Sequence, residues 1–164
     1  MKAAKPSKIE EIRIKESIPR VFVLFLQTAH VVEKYCESEL YYKAGLSMSK
    51  LGALWILEAN GGSLMPSKIA LLTLLENQTI TALVDRLSKE GLVRVERKAN
   101  SDRRQVKVIL TDKGRQALKR GQQVYAKLMK KVMANLNENA ADSLEQLLKI
   151  IRLNAAEKLY PIYK

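Results

Sequence analysis

Charged side chains gather between two short segments in which apolar and polar residues alternate. The segments are 92–97 and 105–110, and Asp102, Arg103 and Arg104 stand between them. Alternation with a period of two predicts β-strands, so the segments should form a hairpin with a long, basic tip. Guanidinium groups at such a tip are suited to bonding phosphate oxygens. The chemistry indicated is the binding of an anion.

The segment before the hairpin, residues 77–90, has the periodicity of an amphipathic helix that Gly91 would end. Its apolar residues recur at i, i+3, i+4 and i+7, namely Ile80, Leu83, Val84 and Leu87. The opposite, mostly polar face carries Gln78, Thr81, Ala82, Asp85, Arg86 and Lys89. A helix with such a face fits the major groove of DNA, where side-chain donors and acceptors meet base edges. We expect Asp85 to pair with a nearby arginine.

The charge of the chain agrees with an anionic partner. Its 164 residues include 29 Lys+Arg and 17 Asp+Glu, which gives a formal net charge of +12. Residues 86–120 alone hold 12 basic and 4 acidic side chains. Such a concentration of positive charge predicts an anionic partner, and around an amphipathic helix and a hairpin it supports double-stranded DNA as that partner.

The sequence contains few of the cysteine and histidine residues that catalytic sites use as nucleophiles and bases. Cys36 is the only cysteine and His30 the only histidine. Six residues on a helix place them about 240° apart around the axis, a poor arrangement for a nucleophile and its base. We expect no enzyme activity, no metal site and no cofactor. Oxidant sensing through Cys36, which lies beside Tyr35, is the alternative to a packed, inert thiol. His30 is expected to be a packed or hydrogen-bonded residue and not a ligand.

The first part of the chain should be helical. Ser7 and Glu10 have the spacing of a capping box, and Pro19 either interrupts that helix or opens a second one after Ser17. An apolar stripe follows at helical spacing: Ile18, Phe22, Phe25, Ala29, Val32 and Cys36. This stripe needs a partner surface.

Four further helices are predicted in addition to the helix over 77–90. One spans about 47–60, with Leu51, Leu54, Trp55 and Leu57 inward, and a short one follows Pro66. Thr111 would cap a long helix that carries Leu118, Tyr125, Leu128, Val132 and Leu136. Asn137 would cap the last, with Leu144, Leu148, Ile151 and Ala155 along one side.

The order helix, short helix, helix, hairpin is that of a winged helix-turn-helix, which we place at residues 46–110. The predicted fold is therefore mainly α with a small β-hairpin wing (α+β). Residues 7–45 and 111–160 would form a helical dimerisation region, because burying their apolar stripes within one subunit would leave the long helices largely unsupported.

The run TITALVDRLSKEGLVRVERKANSDRRQVKVILTDKG, from Thr79 to Gly114, resembles the MarR-type regulators. The resemblance lies in the recognition helix ending in Leu-Val-Asp-Arg-Leu, the Gly91-Leu92 stop, the Asp-Arg-Arg wing and the Leu-Thr-x-x-Gly entry to the next helix. It implies a homodimer whose terminal helices interlock, with each winged domain contacting one half-site.

The resemblance also implies which residues contact DNA: Ser67, Lys68, Asn77, Gln78, Thr79, Thr81, Ala82, Arg86, Asp102, Arg103 and Arg104. In such wings the aspartate holds one arginine in position while another enters the minor groove. Two positions depart from the family pattern. Glu76 stands where many relatives have a serine-like cap, and an acid near the phosphates would repel DNA unless Asn77 caps the helix instead. Ala82 stands where many have an arginine, so a guanine contact would be missing, replaced at most by apolar contact with a thymine methyl group.

These observations lead us to expect a cytoplasmic, dimeric repressor that binds a pseudo-palindromic operator and is released by a small-molecule effector. A lone cysteine fits a reducing compartment, and no apolar run reaches the roughly 18 residues of a membrane span, so no membrane association is expected. An architectural protein that binds DNA without regard to sequence is the alternative, since charge alone supplies non-specific affinity.

Overall fold

The structure, a computed structural model, describes residues 14–97 and 106–159. These residues form six helices and three strands. In chain order they are α1 (Ser17–Ala44), α2 (Met48–Ala59), β1 (Ser63–Leu64), α3 (Pro66–Thr73), α4 (Asn77–Lys89), β2 (Val93–Arg97), β3 (Val106–Leu110), α5 (Asp112–Val132) and α6 (Glu138–Leu159). The predicted class, mainly α with a small β wing, is confirmed.

The helix boundaries follow local capping chemistry. Thr111 caps α5, its Oγ1 accepting the Gly114 amide at 3.0 Å. Asn137 caps α6 in the same way, with Oδ1 2.8 Å from the Ala140 amide nitrogen. Both predicted caps are confirmed. The helix α5 ends earlier than its apolar spacing predicted, because Asn135 takes a left-handed conformation (φ 72°) before Leu136.

The helix α1 begins at Ser17 with Pro19 in its first turn. This confirms the prediction that Pro19 opens a helix after Ser17. The capping box at Ser7 lies outside the described residues. Of the predicted stripe, Cys36 alone is buried, whereas Ile18 and Phe22 are 79% and 57% exposed. The apolar surface of α1 is thus largely uncovered in a single chain.

The core lies where α2, α3, α4 and the sheet meet. Leu54, Leu57, Ile69, Ile80, Leu87 and Val108 are fully buried there. Trp55 was predicted to belong to this core, but 41% of it is exposed. It lies 100° around α2 from Leu54, at the edge of the buried stripe, and meets Tyr125 of α5 edge to face with ring centroids 6.2 Å apart.

The sheet has three antiparallel strands in the order β1-β3-β2. The sequence predicted β2 and β3 but not β1, whose two residues are too few to show alternation. Gly61 and Gly62 both have positive φ and turn the chain from α2 into β1. The Gly62 carbonyl accepts the Leu110 amide at 2.8 Å, which extends the pairing of β1 with β3.

A close backbone contact joins the end of the sheet to α5. The Leu92 carbonyl accepts the Thr111 amide at 3.1 Å and the Thr111 hydroxyl at 3.0 Å. Gly114, one turn into α5, packs directly on the same carbonyl oxygen, and a Cβ there would also lie 2.7 Å from Leu110 Cδ1. A side chain at this position has no space.

By its internal contacts the chain forms two compact units, residues 1–126 and 127–164. In the second unit, α6 and the residue that follows α5 line an open groove, formed by Met133, Ala141, Leu144, Glu145, Leu148, Lys149 and Arg152. The outward side of α6 keeps large apolar residues exposed, among them Leu147, Ile150 and Leu153.

Two glycine substitutions should have opposite effects on stability. Gly114→Ala forces a methyl group against the Leu92 carbonyl and should lower the free energy of unfolding by about 3 kcal/mol. Gly52→Ala, inside α2 with nothing near its would-be Cβ, should raise it by roughly 0.5–1 kcal/mol. Urea unfolding at one fixed chain concentration, followed by circular dichroism, measures both. Equal effects of the two substitutions would contradict the close contact at Gly114.

Candidate nucleic-acid interface

The helix α4 separates cleanly into a buried apolar face and an exposed polar one. Ile80, Leu83, Val84 and Leu87 are at most 6% exposed, as their spacing predicted. The predicted contact residues of this helix are all exposed: Asn77, Gln78, Thr79, Thr81, Ala82 and Arg86. The structure therefore gathers these six side chains on the accessible side of one 13-residue helix.

The first turn of α4 differs from expectation. Glu76 occupies the N-cap position without a side-chain capping bond, and Asn77 is the first helical residue, so Asn77 does not cap the helix and the carboxylate of Glu76 stands at its start. The Thr81 hydroxyl donates to the Asn77 carbonyl at 2.9 Å, and Arg86 Nε donates to the Ala82 carbonyl at 3.2 Å. Both side chains therefore bond back to the helix that carries them.

The helix α3 packs against α4 and completes the helix-turn-helix. Pro66 opens α3, and Ser67 and Lys68 are exposed in its first turn. The turn between the two helices passes through Leu74, whose φ of 57° is unusual for a residue other than glycine. Ser67 and Lys68 thus occupy a helix start, where anions are favoured by free amides and the helix dipole.

The C-terminal end of α4 is bonded by one lysine from α2 and one from α5. Lys50 Nζ of α2 forms an ion pair with Glu90 at 2.5 Å, and Lys113 Nζ of α5 donates to the Glu90 carbonyl at 2.7 Å. The Lys50 side chain is only 17% exposed, so this pair is partly shielded from solvent. Sequence reasoning missed these positioning residues, because side chains 40 and 23 positions apart leave no periodic pattern.

The described part of the hairpin ends at the pair Arg97 and Val106. The predicted wing residues Asp102, Arg103 and Arg104 lie outside the described residues. On β2, Arg94 forms an ion pair with Glu96 at 2.9 Å. Arg97 and Lys107 are exposed close to the end of the paired strands, so the hairpin is basic up to its last described residues.

Asp85 is exposed on α4 and forms no ion pair within residues 14–97 and 106–159, so the expected arginine partner is not found there. Cys36 is buried at 6% exposure, and that burial raises the pKa of its thiol above the ordinary value. His30, expected to be packed or hydrogen-bonded, is exposed on α1 in the single chain and is therefore not packed there.

In the part of the chain that the structure describes, none of the helices has the length and hydropathy needed to span a bilayer. Within the same ranges, no three or more His, Cys, Asp or Glu side chains are grouped so that they could hold a metal ion.

Comparison with known proteins agrees with this geometry. Residues 44–105 match the MarR family model. Over 139 residues the chain is 30% identical to the HTH-type transcriptional repressor IacR of Pseudomonas putida, covering 84% of this chain and 79% of that protein.

Two solved structures share the fold. One is an organohalide-sensing transcriptional regulator bound to 2,4-dichlorophenol, with a TM-score of 0.82 and 22% identity over 98% of this chain and 92% of the other. The second is a MarR family regulator from Streptomyces coelicolor in complex with DNA, with a TM-score of 0.78 and 24% identity over 90% and 95% of the two chains. With its winged helix-turn-helix and a 30% identical relative covered over most of its length, this chain belongs to the MarR family of transcriptional regulators.

Proposed function

We propose that this protein is a dimeric repressor that binds a pseudo-palindromic operator and leaves it when a small-molecule effector binds. The observation that carries the proposal is the exposed polar face of α4 on a winged helix-turn-helix. In proteins of this architecture the second helix of the motif enters the major groove, and the wing reaches the neighbouring backbone or minor groove.

The proposed DNA surface has a division of labour. Gln78, Thr81 and Ala82 meet base edges, while Ser67 and Lys68 contact phosphates at the start of α3. Arg103 and Arg104 of the wing contact the duplex beside the helix, with Asp102 orienting one of them. Two chains that each carry +12 bring a charge of +24 to the operator, which favours association with DNA.

Dimerisation is supported by apolar surface that a single chain leaves uncovered. In this proposal residues 46–110 are the winged domain, and residues 7–45 and 111–160 form the dimer region. The exposed apolar residues of α1 and α6 include Ile18, Val21, Phe22, Leu24, Leu26, Leu147, Ile150 and Leu153. An exposed apolar area of this extent is typical of a protein–protein interface. Two winged domains that a dimer holds about 34–36 Å apart would enter successive major grooves of the operator.

The proposed release by an effector requires a ligand that prefers the dimer geometry unable to bind DNA, since equal affinity for both geometries shifts nothing. The half-exposed Trp55, stacked edge to face on Tyr125, offers an aromatic surface for such a ligand. A solved neighbour of the same fold was captured with 2,4-dichlorophenol, which is consistent with a small aromatic effector.

Other functions are disfavoured by particular residues. An enzyme built on the single cysteine and histidine would need them to meet, yet Cys36 is buried and His30 is exposed on the same helix. Oxidant sensing needs a reactive thiolate, and burial that raises the pKa of the Cys36 thiol works against it. We therefore assign the protein neither a catalytic nor a thiol-based role.

Removing wing arginines should weaken operator binding. Arg103→Ala and Arg104→Ala should each lower affinity, at least one of them by roughly 1–3 kcal/mol, and a lost phosphate contact should reduce the salt slope of log K by about 1. Lys119→Ala removes the same charge from α5 and serves as control. Fluorescence anisotropy over a salt series measures both quantities. Operator affinity unchanged in both wing variants would refute the wing assignment.

The dimer interface can be tested with charges on α6. Leu147→Glu combined with Ile150→Glu places two carboxylates on residues that are 59% and 55% exposed in one chain. If this face is covered by a second chain, burying those charges should dissociate the dimer. Ser49→Glu with Ser88→Glu adds the same charge at exposed positions of the winged domain, outside α6, and should leave the dimer intact. Sedimentation velocity distinguishes the two, and a dimer that tolerates the first pair would exclude this face.

Cys36 should behave as a packed thiol. Because burial raises its pKa, the thiolate fraction at neutral pH is below that of a free cysteine, so alkylation should be slow until the pH is raised or the protein is unfolded. The rate of iodoacetamide modification, in native buffer and in urea, checks this. Cys36→Ser should retain operator binding and effector release. A peroxide response present in the parent and lost in Cys36→Ser would establish thiol sensing instead.

A further inference from the structure

The base-facing half of α4 contains no cationic side chain. From Glu76 to Asp85 the chain has two carboxylates and no lysine or arginine. The first cation is Arg86, and its Nε bond to the Ala82 carbonyl holds it along the helix. In a protein with net charge +12, the surface offered to base edges is therefore neutral to acidic.

The groups that this surface can offer are few and can be itemised. Asn77 and Gln78 provide exposed amides and Thr79 provides an exposed hydroxyl, and each of these groups can donate and accept hydrogen bonds. The Thr81 hydroxyl proton is used on the Asn77 carbonyl, which leaves Thr81 a methyl group and acceptor lone pairs. Ala82 has only a methyl group, and Glu76 and Asp85 are acceptors when ionised.

This inventory matches one type of base pair. Adenine presents an acceptor and a donor together, N7 and N6–H, which an amide bonds with both of its groups, and thymine presents a methyl group. Guanine presents two acceptors, N7 and O6, which need paired donors such as those of arginine. The carboxylates do not separate the two kinds of pair, since they can accept from the amino group of adenine and equally from that of cytosine. The preference for A·T therefore rests on the amides and the methyl groups.

We propose that the recognition helix of this protein selects A·T base pairs, with the amide of Gln78 bonding adenine and the methyl groups of Ala82 and Thr81 packing on thymine. The inference rests on the proposed function, since α4 must first enter a major groove. Sequence selection and phosphate attraction are then separated: neutral side chains on α4 read the bases, and the basic residues of α3 and the wing supply most of the affinity.

The first experiment is selection of bound duplexes from a random library by the full-length protein. The expected half-sites carry consecutive A·T pairs, and replacing one such pair by G·C should weaken binding roughly tenfold. Half-sites centred on guanine would overturn the inference while leaving a sequence-specific regulator in place. Equal affinity for all duplexes would overturn both the inference and the proposed function.

Base analogues then locate the readout in the major groove. Uracil in place of thymine removes one methyl group and should weaken binding about fourfold. Replacing adenine by 7-deazaadenine removes the N7 acceptor and should cost about fivefold. Neither analogue alters the minor-groove edge of the base pair. If the preference for A·T came only from a wing in the minor groove, affinity for both modified duplexes would equal that for the unmodified one. That result would contradict the proposal.

The matched variants are Ala82→Arg and Gln116→Arg. Ala82 is exposed on α4, so an arginine there should fold normally and should shift the preferred pair at one position from A·T to G·C. Gln116→Arg adds the same charge at an exposed position of α5 and should tighten binding to all sequences without changing the preference. An unchanged preference in Ala82→Arg would show that Ala82 does not face a base.

Discussion

The carbonyl oxygen of Leu92 holds the DNA-binding half of the molecule in its geometry. It accepts both the amide and the hydroxyl of Thr111, and the Cα of Gly114 rests on it. Leu92 lies between the end of α4 and the start of β2, while Thr111 and Gly114 join β3 to α5. This backbone group therefore ties the end of α4, the start of β2 and the first turn of α5 to one another.

The orientation of α4 depends on this junction and on two lysines. Thr111 Oγ1 also donates to the Gly91 carbonyl at 2.8 Å, and Lys113 donates to Glu90, so the first turn of α5 bonds three successive carbonyls after α4. Lys50 adds a bond from α2. A displacement of α5 would be transmitted to α4 through these contacts.

Positive charge in this protein is distributed unevenly with respect to the proposed contacts. The hairpin strands and the start of α3 carry exposed lysines and arginines, whereas the first two turns of α4 are neutral to acidic. Electrostatic attraction to phosphates falls as salt rises, but contacts to base edges in a closed groove depend on it far less. The arrangement suits a regulator whose affinity and sequence preference are set by different residues.

Local patterns determined much of this fold. The faces of α4, the caps Thr111 and Asn137 and the strands β2 and β3 follow from residues within a few positions of each other, so the sequence alone predicted them. The exposed polar face of α4 follows from the same periodicity, which fixes one face once the other is buried.

Tertiary structure decided what depends on distant residues. The exposure of Trp55 depends on where α5 places Tyr125, and the need for glycine at 114 depends on a carbonyl 22 residues earlier. The strand β1 exists only because β3 is there to pair with it, and the Lys50–Glu90 bond joins helices 40 positions apart. Such contacts form only when the chain has folded. The residues that meet are far apart in sequence, and no periodic pattern of residue types relates their positions, so sequence patterns cannot predict them.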